Sequence, residues 1–169
     1  ATPINVNRPV AIRLLRHALS HNLKAIGRFQ QEARAVAAFN HPHIVALHDF
    51  GRTETGQLYL VTEYIAGRPL TEVIEEEAPL TEERVIDIGY QIADALIEAH
   101  GHGVIHRDLK PDNILVRAVG HRKDFATVLD FGIAKVSNRS SEEITLTKTG
   151  MAVGTPKYIA PEQASAQRV

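Results

Sequence analysis

The stretch His106-Arg107-Asp108-Leu109-Lys110-Pro111-Asp112-Asn113 is the part of the sequence that decides the fold and the chemistry. Two short apolar segments, residues 104–105 and 114–116, flank it. Short apolar segments separated by polar clusters indicate short buried strands with loops between them, so the polar stretch is predicted to be one loop. That loop supplies carboxylates, an amine and a side-chain amide within a few residues of one another.

Two helices are predicted before this loop. Thr71 can cap a short helix that Pro79 stops, because serine, threonine and aspartate side chains accept hydrogen bonds from the first turn. Thr81 can cap a longer helix that Gly101 and Gly103 end. The longer helix carries apolar residues at helical spacing: Val85, Ile88, Ile92, Ala95, Leu96 and Ala99.

The first part of the chain reads as a strand, a helix and a hairpin. Residues 10–15 form a short apolar run that predicts a strand, and residues 24–39 have the apolar spacing of an amphipathic helix. Strands are then predicted at residues 44–49 and 58–64, with a glycine-containing turn at 51–56 between them.

This order of elements predicts an α+β fold of two unequal lobes. Strand, helix and two strands come first, and helices, short strands and a long polar loop follow. The boundary is expected near Gly67, with a smaller lobe at residues 1–66 and a mainly helical larger lobe at residues 67–169.

Composition limits the class of protein. The 169 residues are 44% apolar and 23% charged, enough for one globular domain with a buried core. The formal net charge of −1 gives no support to a nucleic-acid-binding role. The absence of cysteine excludes disulfides and thiol catalysis and fits a reducing compartment. No apolar run is long enough to cross a membrane, so the expected location is the cytoplasm.

Three motifs in a fixed order carry a family resemblance. The loop at residues 106–113 is followed by Asp130-Phe131-Gly132 and then by Gly154-Thr155-Pro156-Lys157-Tyr158-Ile159-Ala160-Pro161-Glu162-Gln163. In this order they resemble the catalytic loop, the metal-binding triplet and the end of the activation segment of protein kinases. The Ala160-Pro161-Glu162-Gln163 form is typical of bacterial serine/threonine kinases of eukaryotic type. The resemblance covers residues 4–165 and implies a two-lobed kinase fold, truncated at both ends.

The resemblance implies ATP and Mg²⁺ as cofactors and assigns the catalytic residues. Asp108 would be the base that accepts the hydroxyl proton, and Lys110 would place a positive charge beside the transferring phosphate. Asn113 and Asp130 would be the magnesium ligands.

The resemblance also assigns a nucleotide site. Thr62 matches the gatekeeper, and Glu63 and Ile65 match the hinge whose backbone binds the adenine edge. Ala11 and Leu115 would lie on either side of the adenine.

One assigned residue departs from the family pattern. Arg13 stands where the strand normally ends in the ATP-anchoring lysine, and Glu32 matches the ion-pair partner of that lysine. Arginine is longer and planar, so it is expected to place phosphate differently and to lower activity. The glycine-rich phosphate loop is also missing from residues 1–9. A pseudokinase or nucleotide-binding scaffold is therefore the alternative to an active kinase.

The resemblance implies a protein partner. A Ser/Thr hydroxyl of a protein would receive the phosphate, and Thr147 and Thr149 are expected autophosphorylation sites. Thr155 is expected to be structural. The pair Lys110-Pro111 disfavours a small-molecule phosphotransferase.

The nine histidines raise the question of a metal site. Bound metals need converging ligands with supporting hydrogen bonds. The resemblance instead assigns His106 to internal packing with Val36, Leu47 and Phe131, so no metal is expected at the histidines.

Overall fold

The structure, a computed structural model, describes residues 8–15, 23–131, 133, 156–158 and 160–161. Two three-stranded antiparallel sheets and three helices account for most of this part of the chain. The α+β class predicted from the order of elements is confirmed.

The first sheet contains β1 (Val10–Leu14), β2 (Leu47–Arg52) and β3 (Leu58–Glu63) in the order β1-β3-β2. Both pairs are antiparallel, which confirms the predicted hairpin of β2 and β3. The turn between β2 and β3 is closed by the amide of Thr53, which donates to the Gln57 carbonyl at 2.8 Å. β2 begins at residue 47, so the prediction that it starts at residue 44 is wrong.

The residues before β2 are drawn toward the second sheet instead. Ile44 forms an isolated parallel bridge with Val128. The Val45 amide donates to the Val128 carbonyl at 3.0 Å, and the Val128 amide donates to the His43 carbonyl at 2.8 Å. The His43 Nδ1–H donates to the Ala126 carbonyl at 2.7 Å. These bonds to another sheet explain why residue 44 cannot start β2.

Helix α1 (Leu23–Ala37) packs one apolar face against the first sheet. Its buried residues are spaced three to four apart, as in an amphipathic helix: Ala25, Phe29, Ala33 and Val36. The Phe29 ring meets the Phe50 ring of β2 edge-on, with centroids 6.2 Å apart. α1 agrees with the predicted helix, ending two residues earlier than expected.

The second sheet contains β4 (Arg68–Pro69), β5 (Ile114–Val119) and β6 (Arg122–Val128) in that order. β4 lies just after the lobe boundary expected near Gly67, where no strand is predicted. β5 and β6 form a longer hairpin than the predicted short strands, and residues 104–105 are not in a strand. Charged residues near the turn of the hairpin hide its strand pattern.

Two helices follow the first sheet, α2 (Leu70–Glu77) and α3 (Glu82–Gly101). The Thr81 hydroxyl accepts a hydrogen bond from the Arg84 amide at 3.4 Å, which confirms the predicted cap. The predicted Thr71 cap is wrong: α2 already begins at Leu70, and its cap position, Pro69, makes no side-chain hydrogen bond. Proline fits this boundary because its fixed φ suits helix entry.

The buried Gln91 side chain joins α3 to β6. Its Oε1 accepts from the Ala126 amide at 2.9 Å, and its Nε2 donates to the Asp124 carbonyl at 2.8 Å. A buried amide that is bonded at both ends fixes the rotation of α3 on the sheet, because slipping would leave polar groups unpaired.

One apolar cluster joins residues from before and after Gly67. The Phe39 ring, after α1, meets the Phe131 ring at a centroid distance of 5.6 Å, and Ala95 and Ala99 of α3 belong to the same cluster. The lobe boundary near Gly67 remains a prediction. In the described ranges, no helix combines the length and the apolar character needed to cross a membrane.

Candidate active site

The loop at residues 106–113 ends in a single 3-10 turn, Pro111–Asn113, which leads directly into β5. Proline at its first position suits the fixed φ of such a turn. The Asn113 amide donates to the Lys110 carbonyl at 2.9 Å, and the Leu129 amide donates to the Asn113 carbonyl at 2.8 Å. Asn113, which is 9% exposed, is thereby held between the loop and the end of β6.

The side chain of Asn113 is oriented by Asp108. Its Nδ2 donates to the Asp108 backbone carbonyl at 2.8 Å and to the Asp108 Oδ2 at 3.3 Å. Since the nitrogen of the amide faces Asp108, the Oδ1 atom points the other way and is available as a ligand. The predicted base and the predicted metal ligand are therefore brought together.

His106 connects Asp108 to the segment that carries Asp130. Its Nε2–H donates to the Leu129 carbonyl at 2.8 Å, and its Nδ1 accepts from the Asp108 amide at 3.2 Å. One nitrogen donates and the other accepts, so the ring is neutral. Burial lowers the pKa of His106 below its ordinary value, because the charged form would be desolvated.

The Phe131 ring lies 4.8 Å from the His106 ring, centroid to centroid. Val36 and Phe131 are core members of one apolar cluster, and Leu47 packs against that cluster. The packing role predicted for His106 agrees with these contacts.

Arg13 and Asp130 form an ion pair. The Arg13 side chain is half-exposed at 51%, and that of Asp130 is 37% exposed. The sequence predicts Glu32 as the partner of Arg13, so the observed pair is a correction. The guanidinium of arginine is a planar fork that matches a carboxylate, and its length lets it reach one that lies farther along the cleft.

Glu32 has a different partner. Its Oε1 accepts from the Arg107 Nη1 at 3.4 Å, and both side chains are mostly buried. The sequence pattern predicts no role for Arg107, although it lies in the middle of the stretch at residues 106–113. The sequence feature that could have indicated this ion pair is the basic side chain between His106 and Asp108.

Two residues near the site have left-handed backbone conformations. Arg107 has φ of 60° and Asp130 has φ of 57°. Residues other than glycine adopt this region at an energetic cost, which is smaller for aspartate and asparagine. Such conformations are often found at functional sites, where the surrounding structure fixes them.

The segment after β3 is the predicted nucleotide-binding hinge. Ile65 is buried, and none of the described residues accepts a hydrogen bond from its amide. A larger residue would be crowded at position 67, because a Cβ there would lie 3.0 Å from the Val116 carbonyl oxygen and 3.4 Å from the Leu115 Cβ. The close approach at Gly67 brings Leu115 next to the hinge.

The remaining predicted nucleotide-site residues lie on neighbouring strands. Ala11 is directly opposite Thr62 across β1 and β3, and Val10 is opposite Glu63. The Glu63 amide donates to the Ala46 carbonyl at 2.9 Å. Ala11 and Thr62 are thus neighbours on adjacent strands.

Lys110 lies at the start of the 3-10 turn and is half-buried. Its ammonium group forms no ion pair with the described residues, so its charge is available to a ligand. Thr147, Thr149 and Thr155 lie outside the described residues.

The oxygen donors of the site fit magnesium. Asn113 Oδ1 and the Asp130 carboxylate are the predicted ligands, and the described residues include no group of three or more His, Asp or Glu that would enclose a metal. Magnesium typically binds through one or two protein groups while water and substrate phosphates complete its octahedron. The site is therefore suited to a metal that arrives with a nucleotide.

Comparison with known families agrees with this geometry. A family model described as Protein kinase domain matches residues 1–169. The chain belongs to the protein kinase family. Members of this family use ATP and magnesium and act on protein substrates. The predicted family and fold are confirmed.

Three similar curated proteins are bacterial serine/threonine-protein kinases. Serine/threonine-protein kinase pkn3 of Myxococcus xanthus is 44% identical over 97% of this chain and 30% of its own length. The probable kinase PknB of Lactococcus lactis is also 44% identical, over 94% of this chain and 24% of its length. PknB of Mycobacterium tuberculosis is 39% identical, over 100% and 26%. The chain thus spans less than a third of the length of these relatives.

Solved kinase structures are similar to this chain as well. The Mycobacterium tuberculosis PknI kinase domain matches with a TM-score of 0.70 and 28% identity, covering 95% of this chain and 56% of that one. A structure of Rad53 in complex with AMP-PNP matches with a TM-score of 0.63 and 27% identity, covering 76% and 32%. The chain corresponds to part of the kinase fold.

Proposed function

We propose that this chain is a serine/threonine protein kinase unit that transfers the γ-phosphate of ATP to a protein hydroxyl. The observation that carries the proposal is the hydrogen bond from Asn113 Nδ2 to Asp108. It places the Asn113 amide nitrogen beside the Asp108 carboxylate, which would take the proton, and turns the amide oxygen away from it toward the position proposed for the metal.

Each site residue has a separate role in the proposed reaction. The Asp108 carboxylate accepts the proton of the attacking Ser or Thr hydroxyl, and Lys110 neutralises charge on the transferring phosphate. Asn113 Oδ1 and Asp130 hold the magnesium, which supplies charge neutralisation at the phosphates when bound. The Ile65 amide and the Glu63 carbonyl bind the adenine edge between Ala11 and Leu115. Thr147 and Thr149 are proposed autophosphorylation sites.

The test is transfer of labelled phosphate from ATP to a protein substrate by wild-type chain and two variants. Asp108→Asn is expected to lower the rate by about 10²- to 10⁴-fold, the usual contribution of a positioned base. Asp112→Asn is the matched control, because Asp112 is an exposed carboxylate in the same loop. Transfer that survives Asp108→Asn would overturn the mechanism.

A second candidate is a nucleotide-binding unit without turnover. The ion pair of Arg13 with Asp130 favours it, because it occupies a carboxylate that the metal needs. In this case calorimetry would detect ATP binding that magnesium does not strengthen, and no transfer would be measured. Magnesium-dependent binding together with transfer would exclude this candidate.

A further inference from the structure

A pocket separate from the catalytic loop lies between the hinge, α2 and the β5–β6 hairpin. Its volume is about 540 Å³. Pockets of about 300–1,000 Å³ are large enough for ligands of several functional groups. Asp108, Asn113 and Asp130 do not line it.

The charges in the wall of this pocket are unbalanced, with four cationic and two acidic side chains. Both acidic groups already have partners. Asp124 accepts two hydrogen bonds from Arg84, each of 2.8 Å, and Glu77 accepts one from Arg84 at 2.6 Å and one from Arg68 at 3.2 Å. Arg84 and Arg68 are therefore neutralised within the protein.

The other two cations, Arg117 and Lys123, have no carboxylate partner in the part of the chain that the structure describes. Arg117 lies on β5 with its guanidinium carbon 5.8 Å from the centroid of the Phe125 ring. Its Nε is buried and donates to no acceptor among the described residues.

The pocket also has apolar walls. Val73 of α2 and Val116 of β5 line it and are almost completely buried, at 3% and 6% exposure. Tyr64 lines it as well and is 53% exposed, so the pocket opens to solvent. A ligand that matches this surface carries a negative group beside an apolar one.

We propose that this pocket docks an acidic segment of the protein substrate. A Glu or Asp carboxylate of that segment pairs with Arg117 and Lys123, and an adjacent apolar side chain lies against Val73 and Val116. An extended chain segment reaches both walls through neighbouring side chains, which a small anion cannot do. The inference rests on the proposed kinase function for its substrate, and docking beside the hinge would raise the local concentration of the acceptor hydroxyl.

The test measures fluorescence polarisation of a short labelled peptide of alternating glutamate and leucine with the whole chain. A peptide in which glutamine replaces glutamate is the comparison. The acidic peptide is expected to bind at least about tenfold more tightly than the glutamine peptide. Arg117→Gln and Lys123→Gln are each expected to weaken binding of the acidic peptide by about tenfold or more, because each variant leaves a peptide carboxylate without a cationic partner. Lys123 is exposed, so its variant keeps the fold.

The control is the double variant Arg28→Gln/Arg34→Gln, which removes two exposed cations from α1. It is expected to bind the acidic peptide like wild type. Equal binding of the two peptides would overturn the proposal, and so would equal loss in the control variant, which would indicate general charge attraction. Inorganic phosphate that competes as strongly as the peptide would identify a small-anion site instead and overturn peptide docking.

Failure of docking and failure of kinase function give different results. Peptide binding needs neither ATP nor Asp108, so Asp108→Asn is expected to bind the peptide normally. Transfer activity without selective peptide binding would overturn docking alone. Selective, Arg117-dependent peptide binding by a chain without transfer would overturn the kinase function and leave the binding site in place.

Discussion

The neutral state of His106 gives the stability of the chain a pH dependence. Burial lowers the pKa of His106 in the folded chain but not in the unfolded one, where it is about 6.5. The unfolded chain therefore binds more protons between the two pKa values. The free energy of unfolding is expected to fall as pH drops below 6.5 and to level off below the folded pKa.

Urea denaturation at neutral and mildly acidic pH measures this effect. His106→Gln cannot titrate in this range, while its amide can still donate to the Leu129 carbonyl. Its free energy of unfolding is expected to change less with pH than that of wild type. An identical pH dependence in both chains would show that another group is responsible.

The ion pair between Arg13 and Asp130 leads to a second prediction at the scale of single residues. Lysine carries a compact charge and lacks the planar fork that matches a carboxylate, so Arg13→Lys is expected to release Asp130 more readily. Magnesium-dependent ATP affinity, measured by calorimetry, is expected to rise by about tenfold, equivalent to about 1.4 kcal/mol. Arg8→Lys is the matched control, because Arg8 is exposed just before β1. An unchanged affinity in Arg13→Lys would mean that the ion pair does not limit metal binding.

The candidate catalytic residues could be proposed from the sequence, but their partners could not. Asp108 and Asn113 were identifiable because their motif fixes their spacing, and the structure joins them by a hydrogen bond. The partner of Arg13 depends on the reach of its side chain across the cleft, and no local pattern encodes that distance. The pairing of Arg107 with Glu32 joins residues 75 positions apart and was missed for the same reason.

At the scale of elements, Arg84 is the main polar connection among α2, α3 and β6. Its three hydrogen bonds reach Asp124 and Glu77, and they raise the pKa of Arg84 above its ordinary value. Asp124 is only 16% exposed, so removing its partner leaves a largely buried carboxylate. Arg84→Met is expected to lower the free energy of unfolding by about 1–3 kcal/mol in urea denaturation.

Arg122→Met provides the comparison for this prediction. Arg122 also pairs with an aspartate, Asp87, at 3.2 Å, but both side chains are more than 40% exposed. Exposed pairs contribute about 0–1 kcal/mol, so this variant is expected to unfold nearly like wild type. Equal effects of the two substitutions would contradict the structural role of Arg84.

Elements with a clear apolar period were predicted well, and elements with charged ends were not. α1 and α3 show the period of an amphipathic helix and were found within a few residues. β5 and β6 extend beyond their apolar cores into Arg117 and the run Arg122-Lys123-Asp124. These charges are tolerated because one face of the hairpin meets solvent, and a sequence pattern cannot distinguish such a strand end from a loop.

At the scale of the whole molecule, His43 is placed where the two sheets meet. Its ring lies 4.6 Å from the Phe125 ring, centroid to centroid, and bonds the Ala126 carbonyl. His43→Ala is expected to cost about 1–3 kcal/mol of unfolding free energy and to speed hydrogen exchange at the amides of Val45 and Val128. His48→Ala, at an exposed position of β2, is expected to leave both amides protected.

Exchange that rises equally in both variants would contradict a specific role of His43.

The overall order of strands and helices was predictable because each element has its own local signal. The connection of residues 43–45 to β6 was not, because it joins segments that are far apart in sequence and depends on backbone bonds, which residue type hardly influences.

The left-handed backbone at Asp130 has a consequence for how this chain changes over generations. Asparagine and glycine adopt that conformation at the least cost. Both are also reached from aspartate by a single base change, and both remove the carboxylate. Selection for a well-folded chain alone would therefore not retain the proposed metal ligand at position 130. An aspartate kept there is evidence of selection on turnover or on nucleotide binding itself.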